Sequence, residues 1–292
     1  MRLRMRAIEQ TLQVTKAMKL ISTAKLRKGR RMLEDTEPYF QRIQKSMFDI
    51  LSGAKDIQSV FFRKPRVFSA PEAGAAIIVV TSDRGLAGGY NANVFRYAND
   101  LCLKVKNPVL IVIGAVGNRY FSHSPYTILE KYTFHSQMPT VTHADEIAEF
   151  IISRYLSGLL NEIHVVYTHM YSAIRLKPTE RQVLPLSTEK IQNELYEIGE
   201  IKREKLSFEY LPSAEEVFDA LVPQYIKGVI YGAMVEAYAS EQSARLSAMD
   251  EASKNAEEIL TSLQIKYNRG RQAGITQEMS EIVGGSTALA DK

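Results

Sequence analysis

Cysteine and tryptophan are nearly absent from this sequence. Its 292 residues include one cysteine, Cys102, and no tryptophan. A single thiol cannot close an intrachain disulfide, and it cannot supply the several thiolates of a structural zinc site. The five histidines are scattered, without the HExxH spacing of a zinc enzyme. We therefore expect Cys102 to be a small buried apolar residue, and we expect no metal site.

Long apolar runs are also missing. No stretch reaches the roughly 18 residues that a membrane-spanning helix needs, and the start MRLRMRAIEQ has no apolar core of a secretory signal. The composition is that of an ordinary folded protein, 45% hydrophobic and 24% charged. We expect a protein that stays inside the cell and buries a substantial core.

Proline is missing from two long stretches near the chain ends. None precedes Pro38, and none occurs between Gln224 and Val283. These stretches predict long helices, with a kink or restart at Pro38, a break at Pro223 and an end at Gly284. About sixty helical residues at 1.5 Å each span roughly 90 Å, which is too long for a helix folded into its own globular domain.

Apolar or small residues recur every three or four positions along both helices, which is typical of a coiled coil. The predicted inward positions are Leu3, Ala7, Thr11, Val14, Met18 and Ile21 in the first helix, and Ile226, Ile230, Ala233, Ala237, Ala244, Ala248, Ala252, Ala256, Ile259 and Leu263 in the second. Each arm by itself could be an exposed coiled-coil spacer. Together, the two arms suggest an antiparallel pair.

The middle of the chain changes its period. Short runs rich in Ile and Val (75–81, 107–114 and 162–170) alternate with helical stretches such as 142–160, and 181–187 could add an edge strand. This alternation predicts an α/β domain with a mostly parallel sheet and helices on both faces. We divide the chain into an N-terminal coiled-coil helix (1–57), an α/β domain (58–206) and a C-terminal coiled-coil helix (207–292).

A glycine-rich loop, 81-TSDRGLAGGYN-91, follows the first predicted strand. Such loops can hold a phosphate, but the spacing of Gly85, Gly88 and Gly89 matches neither GxGxxG nor GxxxxGK[ST]. Tyr90 and Asn91 stand where a P-loop places its Lys and Ser/Thr. We expect a tight turn here, with no cofactor bound. Since the nucleophile-elbow and kinase motifs are missing too, we expect no catalytic residue.

Positive charge is concentrated at the N-terminus. Residues 1–31 contain ten Lys or Arg and one acid, a charge of +9, so the rest of the chain carries −5 of the net +4. The cluster would suit acidic partners or nucleic acid.

Three segments together resemble the γ subunits of F-type ATP synthases. They are 14-VTKAMKLISTAKLRK-28, the glycine loop 81–91, and 239-ASEQSARLSAMDEASKNA-256 with 271-RQAGITQEMSEIVGGSTAL-289. They occur in the family's order over nearly the whole chain. The family's central loop often has Cys where this chain has Ala87, and no cysteine occurs where the chloroplast form carries its regulatory insert.

The resemblance implies a fold with an antiparallel coiled coil and an inserted Rossmann-like α/β domain. It also implies a function: a central rotor shaft, one copy per complex, inside an α3β3 hexamer and seated on the ε subunit and the c-ring of the membrane sector. The shaft would couple ion-driven rotation to ATP synthesis or hydrolysis at the β subunits, with no catalytic site of its own. It would lie peripherally on the cytoplasmic face of the cell membrane and bind no nucleic acid.

The resemblance also implies contact residues. Met18 and Lys19 would pass the moving loops of the β subunits, and Lys25, in the basic cluster, would face their acidic loops. The C-terminal helix would meet a β-subunit loop through Arg271, Gln272, Thr276 and Glu278. Asp83 and Arg84 in the glycine loop would touch a β subunit, whereas Phe208 and Tyr210 would approach the c-ring.

Two other functions are compatible with the residues alone. An α/β nucleotide-binding enzyme with coiled-coil arms predicts nucleotide affinity in the isolated chain and a defect on changing Gly88 or Gly89. A basic coiled-coil adaptor for nucleic acid predicts tight, salt-sensitive binding to duplex DNA.

Overall fold

The structure of the protein is a computed structural model. It describes residues 1–53, 57–62, 74–133, 139–173, 175–187 and 209–290, with side chains as far as residue 282. The described elements are, in chain order, α1 (Arg2–Gly53), a short 3-10 helix (Val60–Phe62), β1 (Gly74–Val80), α2 (Tyr90–Cys102), β2 (Pro108–Ile113), α3 (Ala115–Phe121), β3 (Thr127–Tyr132), α4 (Val141–Leu156), β4 (Leu160–Met170), β5 (Leu176–Leu184) and α5 (Ala214–Ala290).

The sheet has the strand order β3-β2-β1-β4-β5. The first four strands run parallel, and β5 pairs antiparallel to β4 at the edge. The predicted α/β class is confirmed, and the order 3-2-1-4 is that of a Rossmann-type sheet. The predicted runs became β1, β2, β4 and β5, whereas β3 was missed.

Apolar side chains cover both faces of the sheet. All of β1 is buried, because successive residues point to opposite faces. Ile77 and Val79 pack with α2 and α3, whereas Ile78 and Val80 pack with α4, the end of α1 and the start of α5. Cys102 is buried on the first side, as expected, and burial raises the pKa of its thiol to about 11. We call β1–β5 with α2–α4 the α/β domain.

Both long helices pass through the positions where breaks were predicted. Pro38 lies inside α1, Pro223 lies inside α5, and α5 continues past Gly284. The expected restart at Pro38, the break at Pro223 and the end at Gly284 are therefore wrong, whereas a kink at Pro38 stays a prediction. A proline removes one helical hydrogen bond, and the nearby turns are held by burial: Phe218 and Val222 are completely buried.

The chain divides into two compact units. One comprises Thr23–Arg245, and the other comprises Met1–Ser22 with Leu246–Lys292. In the first unit α1 and α5 pack very closely: a Cβ atom added at Gly228 would overlap the Phe40 ring, and one added at Gly29 would lie 3.2 Å from Tyr238. The pairing of 29 with 238 and of 40 with 228 is antiparallel.

In the second unit the two helices also run antiparallel. Arg2 Nε donates to the Tyr267 hydroxyl at 2.7 Å, and Ser253 Oγ donates to Thr15 Oγ1 at 2.8 Å. The predicted antiparallel coiled coil is therefore confirmed. Along α5, the buried and half-buried positions step by four and three, as in a heptad seam: they are Met249, Ser253, Ala256, Leu260, Leu263 and Tyr267.

The predicted inward stripe of α1 is wrong at five of its six positions: Leu3, Ala7, Thr11, Val14 and Ile21 are exposed, and Met18 is half-buried. Leu3, Val14 and Ile21 are 82%, 57% and 56% exposed, and Ile259 on α5 is also exposed. The seam of α1 instead uses Met5, Ile8, Leu12, Thr15, Lys19 and Ser22. Polar Thr15 and Ser22 are buried. Thr15 lies inside because Ser253 of α5 donates a hydrogen bond to it.

Candidate functional site

The glycine loop lies at the carboxyl end of β1, between that strand and α2. It is held by its own polar groups: Ser82 Oγ donates to the Arg84 carbonyl at 2.7 Å, and Ser82 N–H donates to Asn91 Oδ1 at 3.1 Å. Gly88 has a φ of 55°, a conformation that glycine adopts without strain. The loop is therefore a tight turn, as its spacing suggested.

Arg245 of α5 binds the glycine loop through hydrogen bonds to its backbone. Its Nη2 donates to the carbonyls of Arg84 at 3.3 Å and Gly85 at 3.2 Å, and to Glu241 Oε1 at 2.6 Å. The Arg245 and Glu241 side chains are 9% and 14% exposed. Burial raises the pKa of Glu241, and the adjacent Arg245 opposes that rise. Sequence reasoning quoted this segment for its family resemblance but assigned neither residue a role.

The structure brings three predicted contact residues close to this pair. Asp83 Oδ1 accepts from the Ala115 N–H at 3.0 Å, and its charge raises the pKa of Glu241. Half-buried Lys25 of α1 lowers that pKa. Arg84 has an exposed side chain and offers its carbonyl to Arg245. Lys25, Asp83 and Arg84 therefore share one electrostatic environment around Glu241.

The carboxyl ends of β1 and β2 face α5. Asp83 and Gly114 line a cavity there together with Met234, Ala237, Tyr238 and Glu241 of α5. The remaining cavity is about 50 Å³, whereas sites for small organic ligands are roughly 300–1,000 Å³. The cavity between these strand ends and α5 is therefore smaller than a typical ligand site.

The other unit carries the N-terminal contact candidates. Met18 and Lys19 are half-buried on α1. Lys19 pairs with Asp250 of α5, Lys254 binds the other oxygen of that carboxylate at 2.9 Å, and Lys16 pairs with Glu257 at 2.7 Å. Hydrogen bonds from the two lysines to Asp250 lower its pKa to about 2. Part of the basic cluster therefore ties α1 to α5.

The C-terminal contact candidates are solvent-exposed. Arg271, Gln272, Thr276 and Glu278 lie on the part of α5 beyond Tyr267, which pairs with Arg2 near the start of α1. Thr276 Oγ1 donates to the Gln272 carbonyl at 2.9 Å, a bond within the helix. The remaining side chains are directed to solvent, where they are available to other molecules.

At the other end of the α/β domain, Tyr210 is half-buried against the core just before α5, and burial raises the pKa of its hydroxyl. Phe208 lies outside the described residues.

No described helix combines the length and the apolar composition needed to cross a membrane. Within the described ranges, no His, Cys, Asp and Glu side chains form a group of three that could hold a metal ion.

Comparison with known proteins gives full-length matches. A family model described as ATP synthase matches residues 1–289. The ATP synthase gamma chain of Ruminiclostridium cellulolyticum is 42% identical over 287 residues, which cover 98% of this chain and 96% of that protein.

Solved structures share the fold. A chain of the Euglena gracilis mitochondrial ATP synthase (OSCP/F1/c-ring) matches with a TM-score of 0.66 at 18% identity, covering 99% of this chain and 93% of that one. A chain of the central stalk and c-ring structure from the Tetrahymena thermophila mitochondrial ATP synthase matches with a TM-score of 0.60 at 23% identity, covering 82% and 99%.

Proposed function

We propose, from the premise that the chain belongs to the ATP synthase gamma chain family, that it is the central rotor shaft of an F1Fo ATP synthase. In this role it couples ion-driven rotation of the c-ring to conformational change at the β subunits, where ATP is made or hydrolysed. The observation that carries the proposal is the family match over nearly the entire chain, including both long helices.

The two units suit such a shaft. In one, α1 and α5 form an antiparallel coiled coil cross-linked by polar pairs such as Thr15–Ser253 and Lys16–Glu257. Coiled coils resist bending and twisting better than loops do, because packed seams hold both helices. The exposed end of α5, with Arg271, Gln272, Thr276 and Glu278, offers directional hydrogen bonds to the surrounding subunits.

The chain contributes no catalytic site in this proposal. The cavity between α5 and the carboxyl ends of β1 and β2 is small, and in the proposal ATP chemistry belongs to the partner subunits. We propose as partners the α3β3 hexamer, the ε subunit and the c-ring, with one copy of the chain per complex. Met18, Lys19, Lys25, Asp83 and Arg84 are proposed hexamer contacts.

The segment just before α5 is proposed to lie near the membrane. Phe208 and Tyr210 precede α5 and are proposed to approach the c-ring, and the protein is proposed to sit peripherally on the cytoplasmic face of the cell membrane. The domain boundaries at 57/58 and 206/207 are part of the same proposal.

Reconstitution with α and β subunits tests the proposal. The chain should enter a complex with three copies of each, and ATP hydrolysis should exceed that of an α/β mixture without it. An α/β mixture whose turnover and size are unchanged by the chain would refute the shaft function. Nucleotide titration of the isolated chain, with Gly88→Ala as the matched variant, tests the enzyme alternative, for which we expect no saturable binding.

A further inference from the structure

Three side chains on one face of α5 bond to the backbone at the far end of β4. Ser240 Oγ donates to the Thr168 carbonyl at 2.8 Å, and Ser243 Oγ donates to the Ala173 carbonyl at 2.8 Å. Glu236 Oε1 accepts from the Met170 N–H at 3.3 Å. Residues 236, 240 and 243 are four and three apart, so they lie on one side of the helix.

These bonds extend the hydrogen-bond ladder between β1 and β4 beyond the point where β1 ends. The register of β1 on β4 ends at Val79 and Val166, but β4 runs on to Met170. In a parallel sheet, one residue of the neighbouring strand donates to the carbonyl of residue j−1 and accepts from the N–H of residue j+1. Here the carbonyl is that of Thr168 and the N–H is that of Met170. Ser240 and Glu236 therefore take the place of a β1 residue that would lie opposite His169, three positions past Val79 in the register.

The opposite edge of β4 is consistent with this direction. The Thr168 carbonyl and the Met170 N–H both point away from β5, so Thr168 and Pro178 form a non-hydrogen-bonded pair. Proline is tolerated at such a position because no N–H is needed there. Ser240 and Ser243 are 0% and 2% exposed, so both bonds are shielded from competing water.

The nature of the contact changes along α5. Its buried apolar residues in the core of the sheet extend as far as Ala237. Beyond that position, the contacts of Ser240, Ser243 and Arg245 with the α/β domain are hydrogen bonds. Apolar packing is non-directional and permits small rotations, whereas a hydrogen bond weakens steeply when its angle changes. The polar face therefore sets the angle of the α/β domain about the helix axis.

We propose that Glu236, Ser240 and Ser243 are positioning residues that lock the α/β domain against rotation about α5, so that force on the domain reaches the helix. The inference rests on the proposed shaft function. If the α/β domain could rotate relative to α5, part of each rotational step would be absorbed by that relative motion and would not be transmitted to the helix. The lock would matter most under load, when an ion gradient opposes rotation.

The experiment measures ions pumped per ATP hydrolysed in the complete membrane complex, with and without an opposing ion gradient. The variants are the double change Ser240→Ala/Ser243→Ala, and Glu236→Ala beside Glu236→Gln. The same oxygen of Glu236 also pairs with His169 Nδ1 at 2.5 Å. Gln keeps an oxygen that accepts from Met170 but loses the negative charge that pairs with His169, whereas Ala removes both the oxygen and the charge. Ser247→Ala is the matched control, since Ser247 lies on the same helix with an exposed side chain.

Each lost bond should raise the population of the rotated domain about twofold to tenfold. We expect the double variant and Glu236→Ala to lower the ion-to-ATP ratio under load by at least about twofold, with hydrolysis unchanged, and Glu236→Gln and Ser247→Ala to keep the normal ratio. A normal ratio in the Ala variants, or equal losses in Glu236→Gln and Glu236→Ala, would overturn the lock. Failure of the unmodified complex to pump would instead refute the shaft function.

Discussion

Arg245 joins α5 to the glycine loop through two hydrogen bonds. It neutralises buried Glu241 and holds two carbonyls of the glycine loop. Buried ion pairs contribute little net stability when intact, but an unpaired buried charge is costly. At the scale of single residues, removal of Arg245 should therefore be costly, because it leaves Glu241 buried without its partner.

Arg245→Ala should lower the free energy of unfolding by about 3 kcal/mol, because Glu241 is left buried without its partner. Urea unfolding of the full chain, followed by circular dichroism, measures this change. Arg269→Ala is the control, since Arg269 is exposed on the same helix, and we expect a change within about 0.5 kcal/mol. Equal effects from the two substitutions would contradict the role given to the ion pair.

At the scale of elements, two helical glycines differ in whether their surroundings leave room for a side chain. Gly117 in α3 lies against Thr81: an added Cβ would be 2.7 Å from Thr81 Cγ2, and Thr81 is fixed by donating to the Ile113 carbonyl at 2.7 Å. Gly270 in α5 has no described atom within 4 Å of such a Cβ. Close packing requires the first glycine, whereas the second only weakens its helix.

Gly117→Ala should destabilise the protein by about 1–3 kcal/mol through overpacking. Gly270→Ala should stabilise α5 by about 1 kcal/mol, the difference between the two residues in a helix interior. Thermal unfolding followed at 222 nm compares the pair, each variant serving as the control for the other. A stabilising Gly117→Ala would mean that Thr81 can move aside, against the packing described.

At the scale of the whole molecule, the exposed end of α5 is separable from the core. Residues 269–282 are exposed throughout, and they belong to a different compact unit from the α/β domain. The core of the α/β domain therefore does not depend on them. Their side chains contact solvent and are free to contact partner subunits.

Truncation after Asn268 should leave unfolding of the α/β domain unchanged and should lower ATP-driven ion pumping. The truncation removes Arg271, Gln272, Thr276 and Glu278, whose charge-assisted bonds to partners would each contribute about 1.5–3 kcal/mol. Pumping by membrane vesicles measures the effect, and a full-length chain with Gly270→Ala is the control. Undiminished pumping would count against these four residues as hexamer contacts.

Local sequence was sufficient for much of this molecule. Runs of Ile and Val placed β1, β2 and β4, and the long proline-poor stretches placed α1 and α5, because side-chain period and backbone propensity act within a few residues. Three motifs in order were sufficient for the family, and the glycine spacing alone argued against a phosphate site.

Only the tertiary structure decided the rest. β3 has charged Glu130 and Lys131 in an edge strand, so its apolar signal is weak. The N-cap of α4 is Thr140, whose side chain accepts from the His143 N–H, so the helix begins one residue before the predicted stretch 142–160. The inward face of α1, the contacts of α5 with the ends of β1 and β2, and the bonds of Ser240 and Arg245 all join residues that are far apart in the chain. Their partners are selected by packing, since periodicity tells which residues share a face but not which face another element covers.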